Sequence, residues 1–432
     1  MVSNFNYVDL FSGIGGFRVA LDSFGGISKG FSEIDKFAIE TYKLNYNDPD
    51  DHNLGDVTKI NKLPKIDVLV GGVPCQSWSV AGKRMGFDDP RGRLWFDTIK
   101  MVKISKPKVF VFENVKGLAD PRNIDNLNLI IKAFKDLGYI LTFNILNAYD
   151  FGLPQNRSRL FIVGFRQDQK KYLNKFSFPT PLANKRHLVD FLNGIDKKNV
   201  IKEKISARDL FNGKLPLSRN ASQKNDELND FFVLCDTRNG HTTVHSWDIR
   251  ETTLVEKKIC MAILKNRRKS IYGNSDGNPL SFDDIQKLVP GVKDVNIESL
   301  IKKKILKYNS EGKIILINSK NSSGIDGIYR IYMPNSTIFS TLTATGTRDY
   351  VATKYVEGKT VAEYKTNFIN EVLKKKNYRQ ISIPEALVIQ GFSNDHKIIN
   401  NERLANKQIG NSVSPVVVRS LFKKIIDTGI FK

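Results

Sequence analysis

Five apolar runs punctuate the first 166 residues: YVDLF (7–11), GFSEID (30–35), KIDVLVGG (65–72), KVFVFENV (108–115) and RLFIVGF (159–165), separated by helix-length segments. Strands alternating with helices leave few folds open. Helical crossovers make neighbouring strands parallel and cover both faces of the sheet, so the strands themselves must be apolar. The expected class is α/β, a Rossmann-like, doubly wound and mostly parallel sheet. Ligands in such sheets sit beyond the carboxyl ends of the strands. The glycine turn in DLFSGIGGF, the cysteine in GGVPCQSWS and the acid in FENV all fall at that edge.

The strand–helix rhythm covers 1–166 and stops there, a second domain begins at 167, and ordered, helix-rich sequence returns over 379–432. Within the second domain, VEKKICMAIL places Val255, Ile259, Ala262 and Ile263 on one helical face. SFDDIQKLVPG has Ser281 and Asp284 at capping-box spacing before Ile285 and Leu288. NIESLIKKKILK aligns Ile297, Leu300, Ile301 and Ile305, and YNSEGKIILIN turns at Glu311-Gly312. Three short helices and a hairpin predict a winged-helix-like insert over about 251–320. Between 255 and 308, twelve Lys or Arg stand against six Asp or Glu, which fits either a DNA contact or a solvated structural insert.

Charge points the same way without deciding the matter. The 432 residues carry 67 Lys plus Arg against 45 Asp plus Glu, a formal net charge of +22. A polyanionic partner and a lysine-rich solvated surface both account for that. The three cysteines, Cys75, Cys235 and Cys260, are too few and too dispersed for a disulfide framework or a paired-cysteine zinc site. Cys235 with His241 and His245 is too loosely spaced to make a metal site the preferred reading, so no metal is expected. The first residues lack a signal-peptide pattern and no apolar run reaches membrane-spanning length, so a cytoplasmic protein without a membrane partner is expected.

Gly13, Gly15 and Gly16 let backbone approach a ligand between strand and helix, and Arg18 stands where a dinucleotide fingerprint would have its third glycine. Glu33, twenty residues after Gly13, occupies the usual place of a ribose-binding acid. A nucleoside-containing cofactor is expected. Cys75 alone reads as a small buried apolar residue. At a strand end before a helix start its thiol pKa falls, and it becomes a candidate nucleophile. Glu113 ends an apolar strand, where desolvation raises a carboxyl pKa and makes it a proton donor. Arg157 and Arg159 alternate with Ser158 at a strand start, suited to phosphate or carbonyl oxygens.

In this order the motifs resemble the DNA (cytosine-5) methyltransferases that use S-adenosylmethionine. DLFSGIGGF is similar to the cofactor motif, GGVPCQSWSVAGKRMGF to the catalytic loop, FENVKGL to the acid motif and QNRSRLFIVGF to the arginine motif. RQISIPEALVIQGF and QIGNSVSPVVVRSLFKKII resemble the last two. Together they span roughly 7–165 and 378–420, about half the chain. The resemblance implies the S-adenosylmethionine-dependent methyltransferase fold, and a cofactor pocket of Phe11, Glu33, Ile34, Asp56, Pro74, Leu94, Asn411 and Val413 beside the glycine turn, with Asp56 on the adenine edge. It implies that Cys75 attacks C6 of a cytosine, Glu113 contacts N3 and the exocyclic amine, Arg159 contacts O2, and Arg157 lies beside the phosphate. Gln76, Ser79, Arg157 and Thr341 would meet DNA, Thr341 lying in the Thr-Leu signature of FSTLTATG (339–346).

The chemistry requires such a set. C5 of cytosine is a poor nucleophile until a thiolate adds at C6 and N3 is protonated, and a base inside a duplex must first be extruded. The resemblance further implies a target recognition domain at about 167–378, double-stranded DNA as partner and a monomeric enzyme, with a cognate restriction endonuclease as functional counterpart. Two other readings remain at this point: a DNA-binding protein with a decayed catalytic site, and a methylase of transfer RNA, a substrate that one branch of the family uses.

Overall fold

A computed structural model describes residues 4–74, 94–183, 186–197, 244, 246–275, 277–317, 330–336, 338–347 and 349–432. The chain divides into two units: Met1–His187 with Ile338–Thr347 and Ser382–Lys432, and Leu188–Thr337 with Arg348–Ile381.

The first unit is built on β1 (Phe5–Leu10), α1 (Gly16–Asp22), β2 (Gly26–Ser32), α2 (Lys36–Asn45), β3 (Val68–Gly72), α3 (Leu94–Ser105), β4 (Val109–Val115), α4 (Ile124–Asp136), β5 (Tyr139–Asn147) and β6 (Ser158–Arg166). The strands form one sheet in the order β2-β1-β3-β4-β6-β5. The β2–β1, β1–β3 and β3–β4 pairs are parallel, whereas β6 runs antiparallel to both its neighbours. Order reverses between β1 and β3, the switch point at which such sheets bind ligands. Strand β5 has no counterpart among the five runs read from sequence. It lies at the sheet edge with Phe143 and Ile145 exposed, so it lacks both the continuous burial of β4 and a regular alternation.

Val8, Leu10, Leu69, Phe110, Phe112 and Ile162 carry one face of the sheet into a core that Trp95, Met101, Leu127 and Phe134 complete from the helices. The C-terminal segment belongs to this unit. Its helix Ile383–Gln390 starts at a capping box formed by Ser382 and Glu385 and stops at left-handed Gly391. Its helix Pro415–Asp427 buries Val417, Val418, Leu421, Phe422 and Ile425, with the Phe422 ring stacked on Phe5 of β1.

In the second unit, the helices Leu254–Asn266, Phe282–Leu288 and Asp294–Lys302 and the hairpin Leu306–Tyr308/Ile314–Leu316 share a core of Ile259, Ile263, Ile285, Ile297, Leu300 and Leu316. The first helix is turned relative to the face read from sequence, because Val255 is 41% exposed while Glu256 is buried. Glu256 accepts from the Thr253 N–H to close a capping box, from the Ser299 hydroxyl and from Lys303 Nζ at 2.8 Å. Burial pushes its pKa up, but Lys303, Ser299 and Thr253 outweigh burial and hold it at about 2. A lowered carboxyl pKa stabilises the fold fully above the ordinary value of 4.5, and that contribution disappears as pH falls towards 2. Lys303 is therefore a tie within the unit, whereas Lys302 and Lys304 are exposed. Lys303→Met should destabilise the protein by on the order of 2 kcal/mol, less than for a fully buried pair because Lys303 is 30% exposed. Lys302→Met should leave stability within about 0.5 kcal/mol. Denaturant titration at pH 7 compares the two, and equal effects would contradict the assignment.

Candidate active site

The turn after β1 is shaped by backbone conformation. Phe11 adopts φ 53°, a left-handed value that costs a bulky residue energy and clusters at functional sites, and Gly13 and Gly15 follow at 55° and 89°. A Cβ on Gly13 would meet nothing within 4 Å, so the turn opens to solvent above that atom. A Cβ on Gly16 would lie 2.4 Å from the Val413 carbonyl oxygen, so α1 can start here only with glycine.

Glu33, the residue after β2, fastens this turn by accepting from the N–H groups of Gly13 at 2.9 Å, Ile34 at 2.8 Å and Asp35 at 2.9 Å. Asp56 accepts from the backbone and side chain of Thr58, and these hydrogen bonds lower its pKa. Phe11 and Leu94 sit partly buried against the sheet core, Ile34 is 73% exposed, Asn411 is exposed and Pro74 half-buried. The turn thus presents an exposed isoleucine and, in Glu33, a carboxylate held by three backbone N–H groups.

Arg18 is a residue whose role sequence reading missed. Its guanidinium donates to Asp48 at 2.6 and 3.1 Å, to Asp22 at 2.6 Å and to Tyr42, and lies over the Tyr46 ring. The position that would be the third glycine of a dinucleotide fingerprint is thus a clamp between α1 and the chain following α2. Its signal was the i,i+4 spacing of Arg18 and Asp22 beside the apolar face of Phe17, Ala20 and Leu21.

At the carboxyl edge of β3 and β4, Glu113 and Arg159 come together. Gly72 pairs with Glu113 in register, and a Cβ on Gly72 would be 3.9 Å from Glu113 Oε2. Asn114 donates its amide to the Val73 carbonyl at 3.1 Å, fixing the exit of the chain towards Pro74. Asn114 was not singled out from the sequence. Cys75, Gln76 and Ser79 lie outside the described residues, as do Cys235, His241 and His245. Cys260 is buried and its thiol pKa is pushed up to about 12, chiefly by burial, which makes it a poor nucleophile.

Val115 pairs with Arg159 across β4 and β6, so Glu113, two residues earlier on the same face, is diagonal to Arg159. The guanidinium Nε approaches Glu113 Oε1 to 3.0 Å. Glu113 is 7% exposed. Burial raises its pKa above the ordinary value, and Arg159 and then Arg157 offset part of the rise. Arg157 does not share this site in the way the alternation suggested. It precedes β6, is 3% exposed, and donates to the carbonyls of Leu342 at 3.1 Å, Gly410 at 3.0 Å and Ser412 at 2.8 Å. Its partners here are carbonyl oxygens, one of the two kinds of acceptor read from the sequence, and the side chain lies inside the unit. Thr341, half-buried, donates its hydroxyl to the Asn156 carbonyl. The segment Ile338–Thr347, grouped with 167–378 from sequence, lies in the unit of the sheet.

Residues 5–427 match the family model of the C-5 cytosine-specific DNA methylases. The chain is 48% identical to the Type II methylase M.HgiEI and 47% identical to the Type II methyltransferase M.HgiBI, both of Herpetosiphon aurantiacus, over 100% of this chain and 99% of each relative. In fold it is similar to the Entamoeba histolytica methyltransferase EhMeth, with a TM-score of 0.53 at 13% identity over 98% of both chains. The chain belongs to the C-5 cytosine-specific DNA methylase family. It is a DNA (cytosine-5) methyltransferase, and family membership implies S-adenosylmethionine as methyl donor.

The Glu113 carboxyl holds its proton to higher pH than an ordinary glutamate because burial outweighs its cations. Arg159→Met removes the larger of the two electrostatic offsets, so the Glu113 pKa should move further up. Carboxyl-carbon NMR titration, with Glu113→Gln identifying the resonance, reads the shift; an unmoved or lowered value would contradict the pairing.

Proposed function

We propose that this methyltransferase acts on a cytosine flipped out of a specific short duplex sequence, through a covalent bond from Cys75 to C6, and so protects DNA from a cognate restriction endonuclease. The observation that carries the reading is the Glu113–Arg159 pair, 3.0 Å apart at the strand edge from which Gly72 leads to Pro74 and Cys75. Cys75 adds to C6 while Glu113, whose pKa burial raises, donates a proton to N3, and C5 becomes an enamine carbon. S-adenosylmethionine, bound against the glycine turn, supplies an electrophilic methyl group on a sulfonium. Transfer of that methyl to C5 would leave the cofactor as a neutral thioether; a base then takes the C5 proton, the thiolate is expelled and N3 returns its proton to Glu113, so no step calls for a metal. Arg159 holds Glu113 and reaches O2 of the base, and Asn114 fixes the chain entering the nucleophile loop.

In the pocket, Phe11, Ile34, Leu94 and Val413 cover the apolar parts of the cofactor and Glu33 takes the ribose hydroxyls. Asp56 takes the adenine edge, and Pro74 and Asn411 close the rim. Gln76, Ser79 and Thr341 contact the DNA. Residues 167–378 serve as target recognition domain. The bacterial Type II relatives support a cytosolic enzyme of a restriction-modification system, and no helix among the described residues is long and apolar enough to cross a membrane.

Glu33→Ala should weaken S-adenosylmethionine binding by about tenfold or more, the usual effect of losing a charged hydrogen bond. An unchanged dissociation constant by calorimetry would move the ribose contact elsewhere.

The covalent step is tested with 5-fluorocytosine at the target position of a duplex. Once Cys75 has added and C5 carries the methyl group, fluorine cannot leave as a cation and elimination stalls. A denaturant-resistant protein–DNA band should form only with cofactor, map by peptide mass to the segment containing GGVPCQSWS, and be absent in Cys75→Ser. A bond through another cysteine, or preference for transfer RNA, would overturn the reading.

A further inference from the structure

Three stretches distant in sequence meet at a buried polar hub within the first unit. Gln155, fully buried, donates its amide to the Ile389 carbonyl at 3.1 Å and to Gln390 Oε1 at 2.9 Å, while its own oxygen accepts from the Leu342 N–H at 3.2 Å. Gln390, also fully buried, donates to the Ser412 carbonyl at 2.8 Å, the oxygen that Arg157 also holds. Asn156 donates its N–H to the Phe339 carbonyl at 3.0 Å and accepts from Thr341. Gly410 is pressed so closely on Thr343 that a Cβ would fall 2.1 Å from its carbonyl carbon. The segment 338–347, the helix Ile383–Gln390 and the turn 410–413 are thereby registered against the start of β6, whose second residue is Arg159.

We propose that Gln155, Arg157 and Gln390 are positioning residues that set the Thr341–Thr343 segment and the Asn411–Val413 turn in one register with the Glu113–Arg159 pair. The proposal rests on the reading that this edge binds base and cofactor together. Buried polar groups permit few arrangements, since a shift of one residue strands donors and acceptors without partners. The planar Arg157 fork holds two carbonyls from the C-terminal turn and one from the 338–347 segment. A lysine ammonium, a point charge on a flexible stem, cannot reproduce that geometry. The hub acts through the segments it holds, and Arg157 acts on Glu113 through its charge as well.

The test compares full-length wild type, Arg157→Lys, Arg157→Met and Gln390→Met. The readouts are kcat and KM for a duplex substrate, S-adenosylmethionine affinity without DNA, the salt dependence of DNA affinity, the thermal midpoint, and the rate of 5-fluorocytosine adduct formation. Expected are a graded loss of kcat, at least tenfold in Arg157→Lys and larger in Arg157→Met, with adduct formation slowed in parallel. Cofactor affinity should fall at least threefold as well, because the released turn carries Asn411 and Val413 of the cofactor pocket, while the salt slope stays unchanged. Gln390→Met should shift the same quantities in the same direction. A salt slope reduced by about one phosphate contact would return Arg157 to the DNA backbone and overturn the proposal. So would wild-type kcat in Arg157→Met, or losses in all three variants that follow the fraction unfolded. Adduct formation by the wild type separates failure of the hub from failure of the catalytic reading.

Discussion

A carboxyl group at the end of a buried strand is the constraint on which this active-site edge depends. Glu113 loses its hydration to the sheet and the packed helices, and burial alone would leave it neutral over a wide pH range. Arg159 at 3.0 Å offsets part of that shift, so the acid retains a proton donor's character without being locked in one state. The topology makes the pairing possible. Because β6 runs antiparallel to β4, its first residues lie at the carboxyl edge of the parallel strands. A parallel sixth strand would carry the same sequence to the opposite edge, about 20 Å away over a strand of this length. The one reversed strand is thus what brings an arginine to a site otherwise assembled from β1, β3 and β4.

The sequence was most legible where one physical signal dominated. Strands β1, β3 and β4 are buried on both faces, so their apolar runs stand out. Glu33, Glu113 and the glycine turn were found by their offsets from those runs. Edge strand β5 was missed because Phe143 and Ile145 face solvent and blur its period. For Arg157 the sequence left phosphate and carbonyl oxygens open as acceptors, and the carbonyls of Leu342, Gly410 and Ser412 take it. Glu256 takes the place read for Val255 because it is in phase with Ile259, Cys260 and Ile263, and its cap and the Lys303 contact satisfy the buried carboxylate. The proximity of 338–347 to β6 depends on a single backbone bridge and several side-chain bonds, none of which leaves a local pattern. Motif resemblance supplied what periodicity could not, above all the expected role of Cys75, which lies outside the described residues.

The first unit is interrupted by a long second one and must still close correctly around its site. Apolar packing of Pro415–Asp427 against α1 and β1 is strong but tolerant, since a helix sliding along a sheet can exchange one aliphatic contact for another. Two features remove that tolerance. Gly16 and Gly410 admit backbone at distances that any Cβ would forbid, so Val413 and Thr343 have only one fit. Gln155, Arg157 and Gln390 then require specific carbonyls as partners, because an unmatched buried donor costs about 1–3 kcal/mol. Apolar burial brings the C-terminal segment back to the sheet, and glycine contacts with buried hydrogen bonds select its register. Such a division allows the intervening unit to vary in length and sequence while the edge that carries Glu113 and Arg159 keeps one geometry.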